Sequence, residues 1–180
     1  MKSAFLRIAT VAVVIVALAA IPTAAQQSET MTDEHIARIK SNCPSVLATL
    51  SRIRLNDAPV YINHNQTYFS ISDKLMARLN SRLTFNRYDA TQLVKTASNY
   101  NVQLTKFKAA YKQYDDTMQD VLRMNCRQQP VSFYDKVATA RQQRQKVQDA
   151  VVQLKTLIDQ YEQDVKTFST THMSSSGAKS

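Results

Sequence analysis

Between positions 93 and 121 apolar residues recur at spacings of four and three: Leu93, Ala97, Tyr100, Leu104, Phe107, Tyr111, Tyr114, Met118 and Val121. Steps of this kind keep one stripe of a helix turned toward its neighbours, so the segment predicts a helix packed lengthwise on other helices. An earlier stripe consists of Ile36, Ile39, Cys43, Val46, Leu50 and Ile53. Thr30 and Thr32 ahead of Asp33 and Glu34 mark its start, with acids set against the helix dipole. Pro44 falls inside this stripe and reads either as the first residue of a new helix or as a tolerated kink. The stripe falters at Asn56-Asp57-Ala58-Pro59 and resumes out of phase at Tyr61, His64, Tyr68, Ile71, Leu75, Leu79 and Leu83. That pattern predicts a stutter, which unwinds a coil locally without ending it.

The first break lies at 84–89, where Asp89 and Gln92 resemble a capping box opening the central helix. The second is Asn125-Cys126-Arg127-Gln128-Gln129-Pro130. A final helix follows, with Phe133, Val137, Ala140, Arg144, Val147, Val151, Leu154, Ile158, Tyr161, Val165 and Phe168 at steps of three or four. The Ser/Thr-rich stretch 169–180 has no apolar period and is expected to be a disordered tail.

The two cysteines bear on the topology. The midpoint between Cys43 and Cys126 falls within the first break, so a hairpin folded there brings them to one level at its far end. The reading is an all-α fold, an antiparallel three-helix coiled coil with a Cys43–Cys126 disulfide staple. The helices match in length at roughly 55 to 60 Å, taking about 1.5 Å per residue. A four-helix bundle with a break near Pro59 is the alternative, and it leaves the cysteine levels a coincidence. A bridge closing a loop of about 84 residues is worth roughly 4 to 5 kcal/mol from loop entropy.

Composition narrows the class further. One Gly, no Trp and four Pro in 180 residues argue against a β-rich or turn-rich fold. The formal charge is +9, but acids and bases are mixed and no run of like charge exceeds two residues, which describes a solvated surface. Lys106, Lys108, Lys112, Arg141 and Lys146 sit near one level with Asp115, Asp116 and Asp149 interleaved, which argues against a nucleic-acid footprint. Residues 1–25 read as a signal peptide or N-terminal anchor. Lys2 and Arg7 precede an apolar run, Pro22 ends it, and Thr23-Ala24-Ala25 offers small residues for cleavage. Residues 26–30 form a polar spacer and 31–168 the helical domain. An exported location, periplasmic or on the cell surface, follows, and there a paired cysteine count usually means a disulfide.

No catalytic, cofactor-binding or metal-binding set is found. His35, His64 and His172 are far apart in the expected fold, no Cys-x-x-Cys is present, and the single Gly rules out a glycine-rich phosphate loop. Asn65-Gln66-Thr67 matches a glycosylation acceptor but falls in a helix. Tyr100, Tyr111 and Tyr114 read as core with hydroxyls at the edge. Arg144 occupies a seam position, level with Tyr114 and Asp57, so Arg144 with Asp57 is expected to form a buried polar layer that sets register, with an anion site at a locally unwound layer as the alternative. Residues 31–40 are expected either to project beyond the second turn, which makes Met31, Ile36 and Ile39 a candidate partner tip, or to fold down as a lid over that turn.

Asn42-Cys43-Pro44 and Asn125-Cys126-Arg127-Gln128-Gln129-Pro130-Val131-Ser132-Phe133-Tyr134-Asp135, taken with the export segment, resemble a group of exported helical proteins of candidate-phylum, ultrasmall bacteria. The resemblance implies a bacterial envelope location and supplies no activity. Size, export segment, basic charge and helical arms are more loosely similar to the periplasmic Skp-type chaperones. That family lacks this cysteine pair and has a β-rich trimerisation body for which no strands are seen here. The expectation is therefore an exported structural or interaction module of the cell envelope and not an enzyme, with a periplasmic holdase-type chaperone or client binder as the alternative. Its partner is an unknown protein or envelope component, with membrane proximity if the N-terminus stays uncleaved, and a monomer is favoured over an oligomer.

Overall fold

The computed structural model describes residues 31–173; the expected signal segment, the spacer and the last residues of the expected tail, 174–180, lie outside the described residues. Within them the chain is all-helical, three helices with no strand. The first begins as α1, Asp33–Ser70, passes through a π-helical stretch, Ile71–Ala77, and finishes as α2, Arg78–Phe85. The central helix is α3, Thr91–Arg123, and the last is α4, Pro130–Met173. The last helix therefore runs on past 168 into the stretch expected to be disordered.

Thr32 caps α1, its hydroxyl accepting from the His35 amide, with Asp33 and Glu34 in the first turn. Pro44 and Pro59 both lie inside α1, so the four-helix alternative with a break near Pro59 does not occur. Each proline removes one amide donor. Both are exposed, as are Lys40 and Leu55 four residues upstream, so water reaches the carbonyls that lose their partners.

The helix runs unbroken through 56–59. Asp57 occupies the seam position between Ile53 and Tyr61, so two successive steps of four carry the stripe past a polar residue, the spacing of a stutter. A further change of phase falls at Ile71–Ala77, where the wider π turn takes up one extra residue. Leu75, expected on the seam, is consequently 62% exposed, and Met76 takes its place at 2%.

The turn between α2 and α3 is a Schellman closure. The Tyr88 amide donates to the Leu83 carbonyl and the Arg87 amide to Thr84, with Arg87 left-handed at φ 61° where Gly is usual. The Asp89–Gln92 capping box does not form. Asp89 Oδ1 accepts from the Thr91 amide at 3.0 Å, and Gln92 turns to Thr96. At the second turn Asn125 Oδ1 accepts from the amides of Arg127 and Gln128, both at 3.2 Å, and Pro130 opens α4 where no amide is needed.

Contacts fix the directions. Cys43 meets Cys126, Arg54 meets Asp115, Ser72 meets Asn101 and Asn80 meets Leu93, so the first helix and α3 run antiparallel. Asp57 meets Arg144 and Asn80 meets Tyr161, so the first helix and α4 run parallel. The largest core cluster lies toward the first turn and includes Tyr68, Met76, Leu93, Tyr100, Phe107 and Leu154. Tyr114, Met118 and Ala140 continue it, and Cys43, Val121, Cys126 and Phe133 close the far end.

Candidate functional site

Between residues 43 and 57, α1 is tied to the other helices by a disulfide and two ion pairs. A disulfide joins Cys43 to Cys126 with a Cα–Cα distance of 5.8 Å, and both residues are buried. Arg54 grips Asp115 with two contacts, Nε to Oδ1 at 2.7 Å and Nη2 to Oδ2 at 3.1 Å, while Gln119 donates to the same carboxylate at 2.7 Å. Arg144 grips Asp57 in the same forked way, Nε to Oδ2 at 2.7 Å and Nη2 to Oδ1 at 2.8 Å. The Tyr114 hydroxyl donates to Asp57 Oδ2 at 2.6 Å. Burial on its own would raise the Asp57 carboxyl, but the bonds from Arg144 and Tyr114 outweigh it and hold the group below its usual range. Burial and the neighbouring Asp57 charge push the Tyr114 phenol up, so it stays a donor. The Asp115 carboxyl is likewise lowered, chiefly by Arg54.

The expected pair of Arg144 and Asp57 is thus present, but it is not a buried layer. The Arg144 side chain is 46% exposed against 20% for Asp57. Its aliphatic stem lies along the seam while the guanidinium reaches the rim, the behaviour of a long cationic side chain beside water.

That pair divides a groove between α1 and α4. On the stapled side is a cavity of about 450 Å³ walled by Val46, Leu50, Ile53, Met118, Val137 and Ala140. On the other side is one of about 360 Å³ walled by Val60, Tyr61, Phe107, Tyr111, Val147 and Val151. Arg144 and Tyr114 border both. Volumes of this order suit the apolar side chains of a ligand or a bound segment. In the second cavity Tyr61 and Tyr111 stack with centroids 3.6 Å apart, and Tyr114 stands edge-on to Tyr111.

The expected partner tip does not stand free. Ile39 packs on the staple cluster with Val46, Leu47 and Leu50, and Met31 and Ile36 are half-buried. Tyr100 and Tyr114 are core as expected, but their hydroxyls are bonded inside, Tyr100 to the Tyr68 carbonyl at 3.1 Å. His35 is exposed, His64 lies beside Tyr68, and His172 stacks on Phe168 at the other end, so the three are not brought together. Among the described residues no group of His, Cys, Asp or Glu side chains is placed to hold a metal ion.

Two polar arrangements escaped sequence reading. Arg54–Asp115 lies just off the seam, where charge is ordinary; its only signal is the matching level on the antiparallel helices. Asn80 is buried, donating to the Leu93 carbonyl and accepting from Tyr161. It lies beyond the π turn and becomes a seam position only once that slip is counted.

The disulfide is compatible with an oxidising, extracytoplasmic location. No described helix is long and apolar enough to cross a membrane. No protein-family model, curated protein or solved structure matches the chain.

Proposed function

We propose that the protein is an exported, non-catalytic interaction module of the bacterial cell envelope, built as a disulfide-braced antiparallel three-helix coiled coil. Its proposed task is to hold a helical segment of another envelope protein in the groove between α1 and α4. The observation that carries this reading is the way α1 is held. The disulfide and two forked ion pairs fix its position, while its approach to α4 is left open as two apolar cavities on either side of Arg144. A bound segment would place one apolar side chain in each cavity, and the half-exposed Arg144 would meet an acceptor between them. The spacing of buried residues on α3 by fours and threes supports the coiled-coil description.

The openness of the same groove favours one second reading, a holdase that grips unfolded clients. A photo-crosslinking residue at Leu50, introduced in cells that export the protein, separates the two. One discrete adduct, lost when Val147 is changed to Asp, supports a dedicated partner. A broad set of adducts, together with suppression of thermal aggregation of a model client, supports a holdase. Absence of adducts and of aggregation suppression would sink both.

A further inference from the structure

The face of α1 turned away from the groove carries a second apolar stripe. Leu55 is 66% exposed, Ile62 51% and Phe69 52%, at intervals of seven residues. Residues of α1 that wall the cavities, such as Val46, Ile53 and Val60, lie on the opposite side of the helix. Charge is also missing from this stretch. In a chain with 21% charged residues, none of Asp, Glu, Lys or Arg occurs at 58–72. An exposed helix that long and that poor in charge has the composition of an interface centre and not of a solvated face.

We infer that two copies of the chain pair antiparallel along α1, with Ile62 at the two-fold axis, so that the pair is a dimer in place of the monomer expected from periodicity. Three observations choose a second copy over another partner. Leu55 and Phe69 are equally distant from Ile62, so an antiparallel copy sets Leu55 against the partner's Phe69 and Ile62 against itself. An isologous contact requires that self-complementarity. In the same register Arg52 falls one residue from level with the partner's Asp73, about 1.5 Å along the axis and within reach of its long side chain. Both are exposed, and neither has an ion pair within the described chain. Two chains of formal charge +9 also repel, and the charge-free window is where they can approach closely. On the α3 side the stripe is bordered by Lys108, whose ammonium lies 5.7 Å from the centre of the Phe69 ring. From Arg52 to Asp73 the contact is about 30 Å long, taking about 1.5 Å per residue. That is small for a protein interface, so the dimer is expected to be concentration-dependent.

The test uses the full chain, recovered from the extracytoplasmic fraction with its disulfide intact, in sedimentation equilibrium from ~1 to ~100 μM, the range a small interface calls for. The expected result is a shift from monomer to dimer mass across that range. Ile62→Glu should abolish the shift while leaving helicity and melting unchanged, and Val131→Glu, at an exposed apolar position on α4, should leave it intact. Arg52→Asp should weaken the dimer and Arg52→Asp with Asp73→Arg should restore it. Under mild oxidation Ile62→Cys should link to itself, whereas Leu55→Cys should link to Phe69→Cys in a mixture and not to itself. Monomer mass throughout, a dimer that survives Ile62→Glu, or self-linking of Leu55→Cys as fast as that of Ile62→Cys would each overturn the inference.

Discussion

Replacing Asp57 separates two contributions that share one carboxylate. Its side chain is only 20% exposed and accepts from both the Arg144 guanidinium and the Tyr114 hydroxyl. Asp57→Asn keeps the shape and one acceptor for Tyr114 but removes the charge. The guanidinium left behind is nearly half exposed and can be hydrated, so the loss is that of a rim ion pair, about 1 kcal/mol or less. Asp57→Ala also strands the Tyr114 hydroxyl, which belongs to a residue 2% exposed. An unsatisfied buried donor adds about 1 to 3 kcal/mol, so Asp57→Ala is expected to cost about 1 to 4 kcal/mol in total and always more than Asp57→Asn. In a Tyr114→Phe background that extra penalty disappears, because no hydroxyl remains to be stranded.

Urea unfolding of the disulfide-intact protein, followed by helical circular dichroism, measures each step of the cycle, with the denaturant slope checked for constancy. Equal losses for Asp57→Asn and Asp57→Ala, or an Asp57→Ala penalty unchanged by Tyr114→Phe, would refute the assignment. The pH dependence supplies a second reading. Asp57 is held below its ordinary value of 3.8, so its contribution is fully present above that value and is lost as pH falls through the folded-state value beneath it. Asp57→Asn should therefore flatten the fall in stability below about pH 4. The flattening is partial, since Asp115 is lowered in the same direction by Arg54.

Arg87→Gly relieves a left-handed backbone at a non-glycine residue and should raise stability by about 0.5 to 1 kcal/mol in the same assay; a loss would mean that the Arg87 side chain holds the turn. Leu75→Lys should be nearly neutral while Met76→Lys should cost several kcal/mol, about the scale of emptying a core site and more for the added charge; the reverse ranking would remove the π turn. Thiol titration under denaturing, non-reducing conditions should find no free cysteine, and Cys43→Ala with Cys126→Ala should lower stability by up to about 4 to 5 kcal/mol; two reactive thiols in the unmodified protein would refute the bridge.

The central helix was the most legible part of the chain. Every residue of its stripe is buried except Tyr111, which is half-buried, because an unbroken apolar seam in one phase admits a single helical reading. The staple was legible for a geometric reason: helices of similar length bring residues equidistant from a turn to one level. The break in the apolar stripe at 56–59 reflects a polar residue on the seam, Asp57, within a continuous helix. A fixed period of 3.6 has no way to represent the π turn that exchanges Leu75 for Met76. Arg144 was placed on the right level with the right partner, but seam position describes where Cα sits and not how far a long side chain reaches. Of the two readings of residues 31–40, the covered one fits Ile39, which packs on the cluster of Cys43, Val121, Cys126 and Phe133.

The first helix differs from the other two in what holds it. α3 and α4 share buried apolar side chains along their length, including Phe107, Leu104, Leu154 and Ala150. In α1 only Cys43 and Tyr68 are buried. A helix with so little surface removed from water has little hydrophobic free energy fixing it in place. The disulfide and the two forked ion pairs supply what packing does not, and they do so at separate points that leave the intervening apolar surface open. The same arrangement explains how α1 tolerates two interior prolines, since its position does not depend on close packing throughout. Reduction should therefore loosen the N-terminal half of α1 first and leave the α3–α4 hairpin folded. In hydrogen exchange that would appear as lost protection in 33–53 with little change in α3, and uniform loss along all three helices would contradict it.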